Sequence, residues 1–177
     1  MIREQITNSS RLSASVKRYH TWPTLTQQTV AEHSYHVMRI FVEYMTKDFI
    51  FSGEIAKCIL FHDIGEMATG DIPFPVKSNN PELKVILDRL EENHRHTLDL
   101  PEVRLSQDTV TAIKICDLLE MAEFGLHELR LGNQYAKPII ENTIEHIWNY
   151  HDFWCKFTET KWKVNPHTSS MLRELMT

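Results

Sequence analysis

Helical periodicity runs through most of this chain, and no alternation of apolar and polar residues lasts more than four residues. In five segments, apolar side chains recur three and four residues apart, as in helices that bury one face. Only 5 Gly and 7 Pro among 177 residues favour long regular elements over many turns. The sequence therefore predicts an all-α fold, with five or six helices packed antiparallel in one compact domain over residues 1–177.

Capping residues indicate where these helices begin and end. Ser52, Ser106 and Asn80 are suitable N-caps, and Asn80 is followed by a proline at the first helical position. Gly132 and Asn133 form a stop signal. A segment with two prolines, residues 68–80, is predicted to be a loop. The predicted helices span about residues 27–49, 52–67, 80–96, 107–130 and 134–159.

Composition narrows the class of protein. The formal net charge of -5 argues against binding to a nucleic-acid polymer, which usually needs a basic patch. The three cysteines, Cys58, Cys116 and Cys155, are widely spaced and form no CxxC pair, which favours a reduced, cytoplasmic setting. The N-terminus lacks the apolar core of a signal peptide, and no run of about 18 apolar residues could span a membrane.

A His-Asp dipeptide inside an apolar run is the strongest chemical signal. His62 and Asp63 follow Leu60-Phe61, with Gly65 and Glu66 close behind. Burying unpaired charge is costly, and a divalent metal ion would satisfy both side chains. On one continuous helix, Glu66 would lie four residues after His62 and three after Asp63, so all three side chains could face the same cavity. Because a single His-Asp pair also arises by chance, other residues have to support this prediction.

Further candidate ligands lie on two other predicted helices. Two imidazoles and two carboxylates could hold one divalent cation and leave positions open for water and substrate, as in catalytic sites. The candidate ligands are His33, His62, Asp63 and Asp117. Three cations, Arg18, Lys77 and Lys114, could bind a phosphate group. Other interpretations of these residues are possible. His33 could be a core histidine without a ligand role, and Lys114 and Asp117 could form an exposed ion pair that contributes little.

A second His-Asp dipeptide, His151-Asp152, is rejected as a site. It has neither a carboxylate four residues on nor a glycine break. It lies in an aromatic stripe, with Trp148 and Trp154, which is typical of a core or a subunit interface.

The ordered pattern H…HD…D resembles the HD-domain phosphohydrolase superfamily. The pattern is carried by His33, His62-Asp63 and Asp117. Within that superfamily, the chain resembles bacterial 5'-deoxynucleotidases and short phage dATP triphosphohydrolases from about Arg18 to Asp117. Supporting motifs are Arg18-Tyr19, Thr29 to Ser34, Glu66, Thr69 to Pro73, and Pro75 to Lys77.

The resemblance implies a role for each matching residue. His33, His62, Asp63 and Asp117 would bind the metal, and Glu66 would activate the attacking water. Arg18, Lys77 and Lys114 would contact phosphate, and Asp71 would lie near the sugar. Tyr19 stands where these families usually have Trp and would stack on the sugar or the base, and Thr21 would help to select the base. The metal would be Co, Mn, Zn or Fe, with Mg at a second, phosphate-bound position.

The substrate expected from this resemblance is a small-molecule deoxynucleotide, hydrolysed at its 5' (alpha) phosphate. The short chain and the intervals between the motifs favour a dNTP triphosphohydrolase of the dATP type, and the alternative is a 5'-deoxynucleotidase acting on dNMPs. A non-catalytic nucleotide sensor and a cyclic-dinucleotide phosphodiesterase are weaker hypotheses. We also expect a homo-oligomer without membrane contact in the cytoplasm, or in the host cytoplasm if a phage encodes the chain.

Overall fold

The computed structural model describes residues 10–46, 49–100 and 102–150, and only the backbone of Phe74 and Pro75. Every regular element in these ranges is a helix, which confirms the all-α prediction. The α-helices are α1 (Val30–Ile40), α2 (Gly53–Phe61), α3 (Glu66–Thr69), α4 (Phe74–Asn79), α5 (Pro81–Thr97), α6 (Gln107–Arg130) and α7 (Lys137–Trp148). Shorter helical turns are 3-10 at Ser10–Ser15 and Gln134–Ala136, and π at Phe41–Met45.

The helix N-termini follow capping chemistry. Ser52 and Ser106 accept hydrogen bonds from the backbone of Ile55 and Thr109, as N-caps of α2 and α6. Thr29 caps α1 in a reciprocal box with Glu32, so this helix begins at residue 30 rather than about 27. Asn80 precedes α5, but its side chain donates back to the carbonyl of Val76.

The predicted helix over residues 52–67 is wrong in one respect, because it breaks at the His-Asp dipeptide. Helix α2 ends at Phe61, a turn covers residues 62–65, and α3 begins at Glu66. Arg95 explains the break, since its guanidinium donates to the carbonyl oxygens of Phe61 at 2.6 Å and His62 at 3.2 Å. It satisfies carbonyl groups that a continuous helix would have used internally.

The prediction of a loop over residues 68–80 is also wrong in part. Helix α4 occupies Phe74–Asn79, with Pro73 at its N-cap and Pro75 in its first turn. Proline fits there because the first backbone N–H groups of a helix have no internal acceptor. The break at the dipeptide adds α3 and this segment adds α4, so the described residues form seven α-helices, whereas five or six were expected.

Helix α6 lies at the centre of the molecule and packs against α1 and α7. Gly125 allows α7 to approach closely, since a β-carbon there would lie 2.7 Å from Cγ1 of Ile140. The main apolar core joins α1, α2 and α6 and includes Val37, Ile40, Phe41, Ile55, Ile59, Ile115 and Cys116. Helix α5 buries little, and Leu87 is its one buried residue among those described.

The end of the predicted helix over residues 134–159 lies partly outside the described residues. A 3-10 turn covers Gln134–Ala136, and α7 runs to Trp148, which is 52% exposed. His151, Asp152 and Trp154 fall outside the described residues, so the aromatic interface and the homo-oligomer remain predictions. Within the described ranges, no helix is long and apolar enough to cross a membrane.

Candidate active site

The four candidate ligands lie in one cluster, although they come from three parts of the chain. His33, His62 and Asp117 form the group that could share one ion, and Asp63 lies beside the two histidines. Nε2 of His33, on α1, lies 3.1 Å from Nε2 of His62 and 3.1 Å from Oδ1 of Asp117 on α6. Oδ2 of Asp63 lies 3.3 Å from Nε2 of His62 and 3.6 Å from Nε2 of His33. His62 and Asp63 reach the other two from the turn between α2 and α3.

The hydrogen bonds of the two imidazoles fix which nitrogen atoms face each other. Nδ1 of His33 bonds to the carboxylate of Glu120, and Nδ1 of His62 lies 2.7 Å from the carbonyl oxygen of Ile59. Both partners only accept hydrogen bonds, so each Nδ1 carries a proton. The two neutral rings would then turn Nε2 lone pairs toward each other at 3.1 Å. A cation, either a proton or a metal ion, has to separate them.

The donor set and its spacing fit a divalent metal ion. Ligand atoms at about 2.1 Å from one ion lie about 3.0–3.4 Å apart in octahedral or tetrahedral geometry. The ligand atoms of His33, His62 and Asp117 all lie within 4.8 Å of one another. The group supplies imidazole nitrogen and carboxylate oxygen, which Zn, Mn, Co and Fe accept.

The local electrostatics also favour bound positive charge. Burial by itself lowers the pKa of His62, but the adjacent carboxylate of Asp63 outweighs burial and raises this pKa to about 9. Burial would raise the pKa of Asp117, yet its close contact with His33 and the charge of Lys114 hold this pKa well below its usual range. The acids therefore stay ionised and the cluster attracts cations.

Glu66 presents an uncommitted carboxylate oxygen beside this cluster. It lies in the first turn of α3, and is only 5% exposed. Its Oε1 accepts a hydrogen bond from Nζ of Lys77 at 3.1 Å. Its Oε2 is buried without a hydrogen-bond partner in the described part of the chain. Burial, with the charges of Asp63 and Asp71, raises the pKa of Glu66 to about 8, although Lys77 and Arg18 oppose this.

The three predicted phosphate contacts surround the cluster, and each is paired with one of its acids. Nη1 of Arg18, which is buried, lies 3.5 Å from Oδ2 of Asp63. Nζ of Lys77 bonds to Glu66 and lies 3.9 Å from Oε1 of Glu91. Nζ of Lys114 bonds to Oδ2 of Asp117, and half of its side chain is exposed. Lys114 and Asp117 thus form an ion pair at the site rather than one on a remote surface.

Tyr19 and Asp71 meet at the edge of the site, whereas Thr21 does not join them. The backbone of Tyr19 has a φ of 55°, and its N–H donates to Oδ2 of Asp71 at 3.3 Å. Its ring stacks on Phe124, with centroids 4.7 Å apart and planes 2° from parallel. Phe124 therefore covers one of the two faces that a substrate could have used. Thr21 is exposed in the turn that follows.

Sequence reasoning missed the residues that hold the ligands in place. Glu120 is 2% exposed and bonds both to Nδ1 of His33 and to Nε2 of Gln28, the latter at 2.6 Å. A carboxylate behind a metal-binding histidine commonly orients the ring. Glu120 follows Asp117 by three residues within an apolar stretch, which was the available signal. Arg95, which fixes the turn of His62, had no comparable signal in the sequence.

Comparison with known proteins identifies relatives at the sequence level. A family model described as 5'-deoxynucleotidase YfbR-like matches residues 7–103. The chain is 28% identical over 159 residues to the 5'-deoxynucleotidase yfbR of Photorhabdus temperata. It is 30% identical over 157 residues to a 5'-deoxynucleotidase of Yersinia pseudotuberculosis. Each match covers 73% of this chain and 79% of the relative.

Solved structures show the same fold at lower sequence identity. The HD phosphohydrolase DatZ of cyanophage S-2L, bound to dA and one catalytic Zn2+ ion, matches with a TM-score of 0.60 and 22% identity. That match covers 76% of this chain and 79% of DatZ. An HD-domain phosphohydrolase from Listeria innocua matches with a TM-score of 0.69 and 20% identity, over 99% of this chain and 98% of that one.

Proposed function

Because this chain belongs to the YfbR-like 5'-deoxynucleotidase family, a family of metal-dependent phosphohydrolases, we propose that it hydrolyses deoxynucleotides at the phosphorus bonded to O5'. The observation that carries the proposal is the convergence of His33, His62, Asp63 and Asp117 beside the uncommitted oxygen of Glu66. These four residues would hold the metal. The deoxynucleotide is the small-molecule partner, and we place the reaction in the cytoplasm.

The proposed reaction is an attack of water on phosphorus with cleavage of the P–O5' bond. When bound, a divalent cation polarises a phosphate oxygen and makes a nearby water more acidic. Glu66 accepts a proton from the attacking water, and its bond to Lys77 holds the carboxylate in place. Arg18 and Lys114 stabilise the charge that develops on the phosphoryl oxygens. The leaving O5' takes up a proton, which completes the deoxynucleoside.

The charge around the site supports a monophosphate as the first candidate substrate. Each of the cations Arg18, Lys77 and Lys114 is already paired with an acid of the site. A cleft of about 440 Å³ lies beside His62, and acidic residues outnumber basic ones in its lining. The acids are Asp88, Glu91, Glu92 and Glu102, and the basic residues beside His62 are Arg95 and His96. A triphosphate tail directed into this cleft would meet like charge. The relatives named above also carry the name 5'-deoxynucleotidase.

A dNTP triphosphohydrolase is the second candidate, and the sequence itself favours it. The same P–O5' bond is broken in both reactions, so the residues at the phosphorus serve either substrate. The spacing of the His, His-Asp and Asp motifs in this chain supports the triphosphate reaction. One structural neighbour, DatZ, is bound to dA, the deoxynucleoside of adenine. Zn is the metal in that neighbour, and Co, Mn and Fe suit the same ligands here.

Product analysis by chromatography tests the proposal. Purified protein is incubated with each dNMP, dNTP and ribonucleotide, with Zn, Co, Mn or Mg supplied in turn. Deoxynucleoside plus phosphate from dNMPs would establish the first candidate, and deoxynucleoside plus intact triphosphate would establish the second. Tight nucleotide binding without turnover across all metals would refute both and support a sensor. Glu66→Gln serves as the control for a contaminating phosphatase.

A further inference from the structure

The segment from Arg18 to Gln28, here termed the strap, is a loop closed at its base. The backbone N–H of Arg18 donates to the carbonyl of Gln28 at 2.8 Å, next to an antiparallel bridge between Lys17 and Thr29. The N–H of Val30 donates to Val16 just beyond the bridge. The strap thus begins with the phosphate-side residues Arg18 and Tyr19 and returns to the start of α1.

Glu128 is the buried carboxylate that holds the tip of the strap. Two further hydrogen bonds fasten the strap to the segment after α6: Asn133 donates to the carbonyl of Pro23, and Trp22 donates to the carbonyl of Tyr135, each at 2.8 Å. Glu128, on α6, is 0% exposed. Its Oε2 accepts the N–H of Leu25 at 2.6 Å and Nδ2 of Asn133 at 2.7 Å. Its Oε1 accepts both the N–H of Thr26, at 2.7 Å, and the hydroxyl of Thr26. Four donors on two oxygens require an ionised carboxylate, because a glutamine would turn an NH2 group toward two of them.

Helix α6 contacts both the strap and the cluster of candidate metal ligands along one face. The contacting residues, Asp117, Glu120, Phe124 and Glu128, are spaced three, four and four residues apart. Asp117 is a candidate metal ligand. Glu120 bonds to His33 and to Gln28 at the end of the strap, Phe124 stacks on Tyr19 near its start, and Glu128 holds its tip. Residues at this spacing share a helix face, so the strap lies along α6 in one fixed register.

We propose that Glu128 is a positioning residue for the nucleotide, which fixes the strap on α6 and thereby sets the position of Arg18 and Tyr19. The inference rests on the proposed function, in which Arg18 contacts the phosphate, and on the family resemblance, which implies that Tyr19 stacks on the sugar or the base. Glu128 bonds to Leu25, Thr26 and Asn133, none of which is a candidate metal ligand. Its loss should therefore weaken substrate binding and leave metal binding intact.

The test compares Glu128→Gln with Glu123→Gln in the metal-loaded protein. Glu123 is the matched control, because it lies on the same helix and pairs with Arg39, away from the strap. We expect Glu128→Gln to raise KM about tenfold while kcat stays within about threefold, and Glu123→Gln to change neither. Metal affinity, measured by calorimetry, should be unchanged in both variants.

Amide hydrogen exchange, followed by NMR, gives a readout that does not depend on activity. Glu128→Gln should lose protection at the amides of Arg18 and Tyr19, while the amides of α1 keep theirs. If the wild-type protein hydrolyses no deoxynucleotide, the proposed function fails. The role of Glu128 can still be decided, because hydrogen exchange and the Kd for dAMP can be measured without catalysis. Unchanged protection and unchanged affinity would then overturn it.

A second variant keeps the inference testable if Glu128→Gln does not fold. Thr26→Val removes the hydroxyl donor but keeps the backbone N–H and the shape of the side chain. We expect a rise in KM of roughly threefold and a partial loss of protection at Arg18 and Tyr19. Wild-type KM and wild-type protection in Thr26→Val and in any folded Glu128 variant would show that Glu128 serves stability alone.

Discussion

One carboxylate oxygen of Glu66 lies 3.1 Å from Nζ of Lys77, and the other is buried without a hydrogen-bond partner within the described ranges. The ammonium group therefore orients the carboxylate and leaves one oxygen able to accept a proton. In the proposed reaction the two residues therefore have different roles, Glu66 as the base and Lys77 as its support. Substitutions at the two positions should accordingly have different effects on catalysis.

Glu66→Gln should retain metal but lose activity. The amide cannot accept a proton from water, so we expect kcat to fall by roughly two to four orders of magnitude. Steady-state kinetics with the best substrate measures the loss, and metal analysis of the same sample shows whether the ion remains. Near wild-type kcat in a metal-loaded Glu66→Gln would contradict the assignment of Glu66 as the base.

Loss of a candidate ligand should remove the metal. His62→Ala and Asp117→Asn each delete a donor from the cluster, so we expect metal content after dialysis to fall well below that of the wild type. Added metal should raise the melting temperature of the wild type and not of the variants. His127→Ala, an exposed histidine on α6, is the control. Full metal occupancy in both ligand variants would rule out this site.

Gly65→Ala should destabilise the protein, for a steric reason. A β-carbon at position 65 would lie 2.5 Å from Cβ and 2.9 Å from Cα of Glu91, so the backbone of α5 would have to move. The φ of Gly65 is -61°, which alanine adopts without strain. Any loss of stability would therefore come from the contact with Glu91 and not from the backbone conformation. We expect a loss of roughly 1–3 kcal/mol in the free energy of unfolding, measured with urea.

Gly53→Ala is the matched control for that measurement. Gly53 begins α2, and nothing lies within 4 Å of a β-carbon built there. Alanine at this position should leave the stability unchanged or raise it by up to about 1 kcal/mol. Equal losses in both variants would mean that the close approach of Glu91 does not decide the effect.

The stability of the strap should depend on acid pH through Glu128. Burial would raise the pKa of Glu128, but hydrogen bonds from Thr26, Asn133 and Leu25 outweigh burial and lower it from 4.5 to about 2. A depressed folded-state pKa stabilises the protein above pH 4.5, by about 3 kcal/mol, and this contribution is lost as pH falls toward 2. The stability gap between wild type and Glu128→Gln should therefore narrow by roughly 1 kcal/mol between pH 6 and pH 3.5.

Urea unfolding of both proteins at a series of pH values checks this expectation. Glu123→Gln controls for the general effect of removing an acid from α6. A gap that stays constant from pH 6 to pH 3.5 would show that the four hydrogen bonds do not depend on the charge of Glu128.

Local chemistry made much of the fold predictable from the sequence. The caps Ser52 and Ser106 gave the starts of two helices, because a side-chain oxygen followed by an apolar helical pattern is a local signal. The break after Phe61 was not predictable in the same way, since Arg95 causes it from 34 residues away. Helix α4 was not predictable because prolines fit both a loop and the first turn of a helix.

The candidate site also combines residues that have local sequence signals with residues whose roles depend on distant partners. His33, His62, Asp63 and Asp117 could be proposed from their order and residue types, and the fold brings them together. The roles of Glu120 and Glu128 depend on partners about 90 to 100 residues earlier in the chain. The apolar stretch around Glu120 is a local sign of its burial, but no local pattern identifies the distant partners of Glu120 and Glu128.

The pairing of the strap with α6 has a consequence for the synthesis of the protein. His33 and Glu128 are 95 residues apart in the sequence, and the ribosome adds that length in roughly 5–20 s. For most of this interval, until Asp117 is added, the emerging chain contains none of the carboxylates of α6 that would complete and support the proposed site. If the proposed site is right, hydrolysis of nucleotides cannot begin on a chain that lacks Asp117, and a message truncated before the codon of Asp117 would yield an inert product.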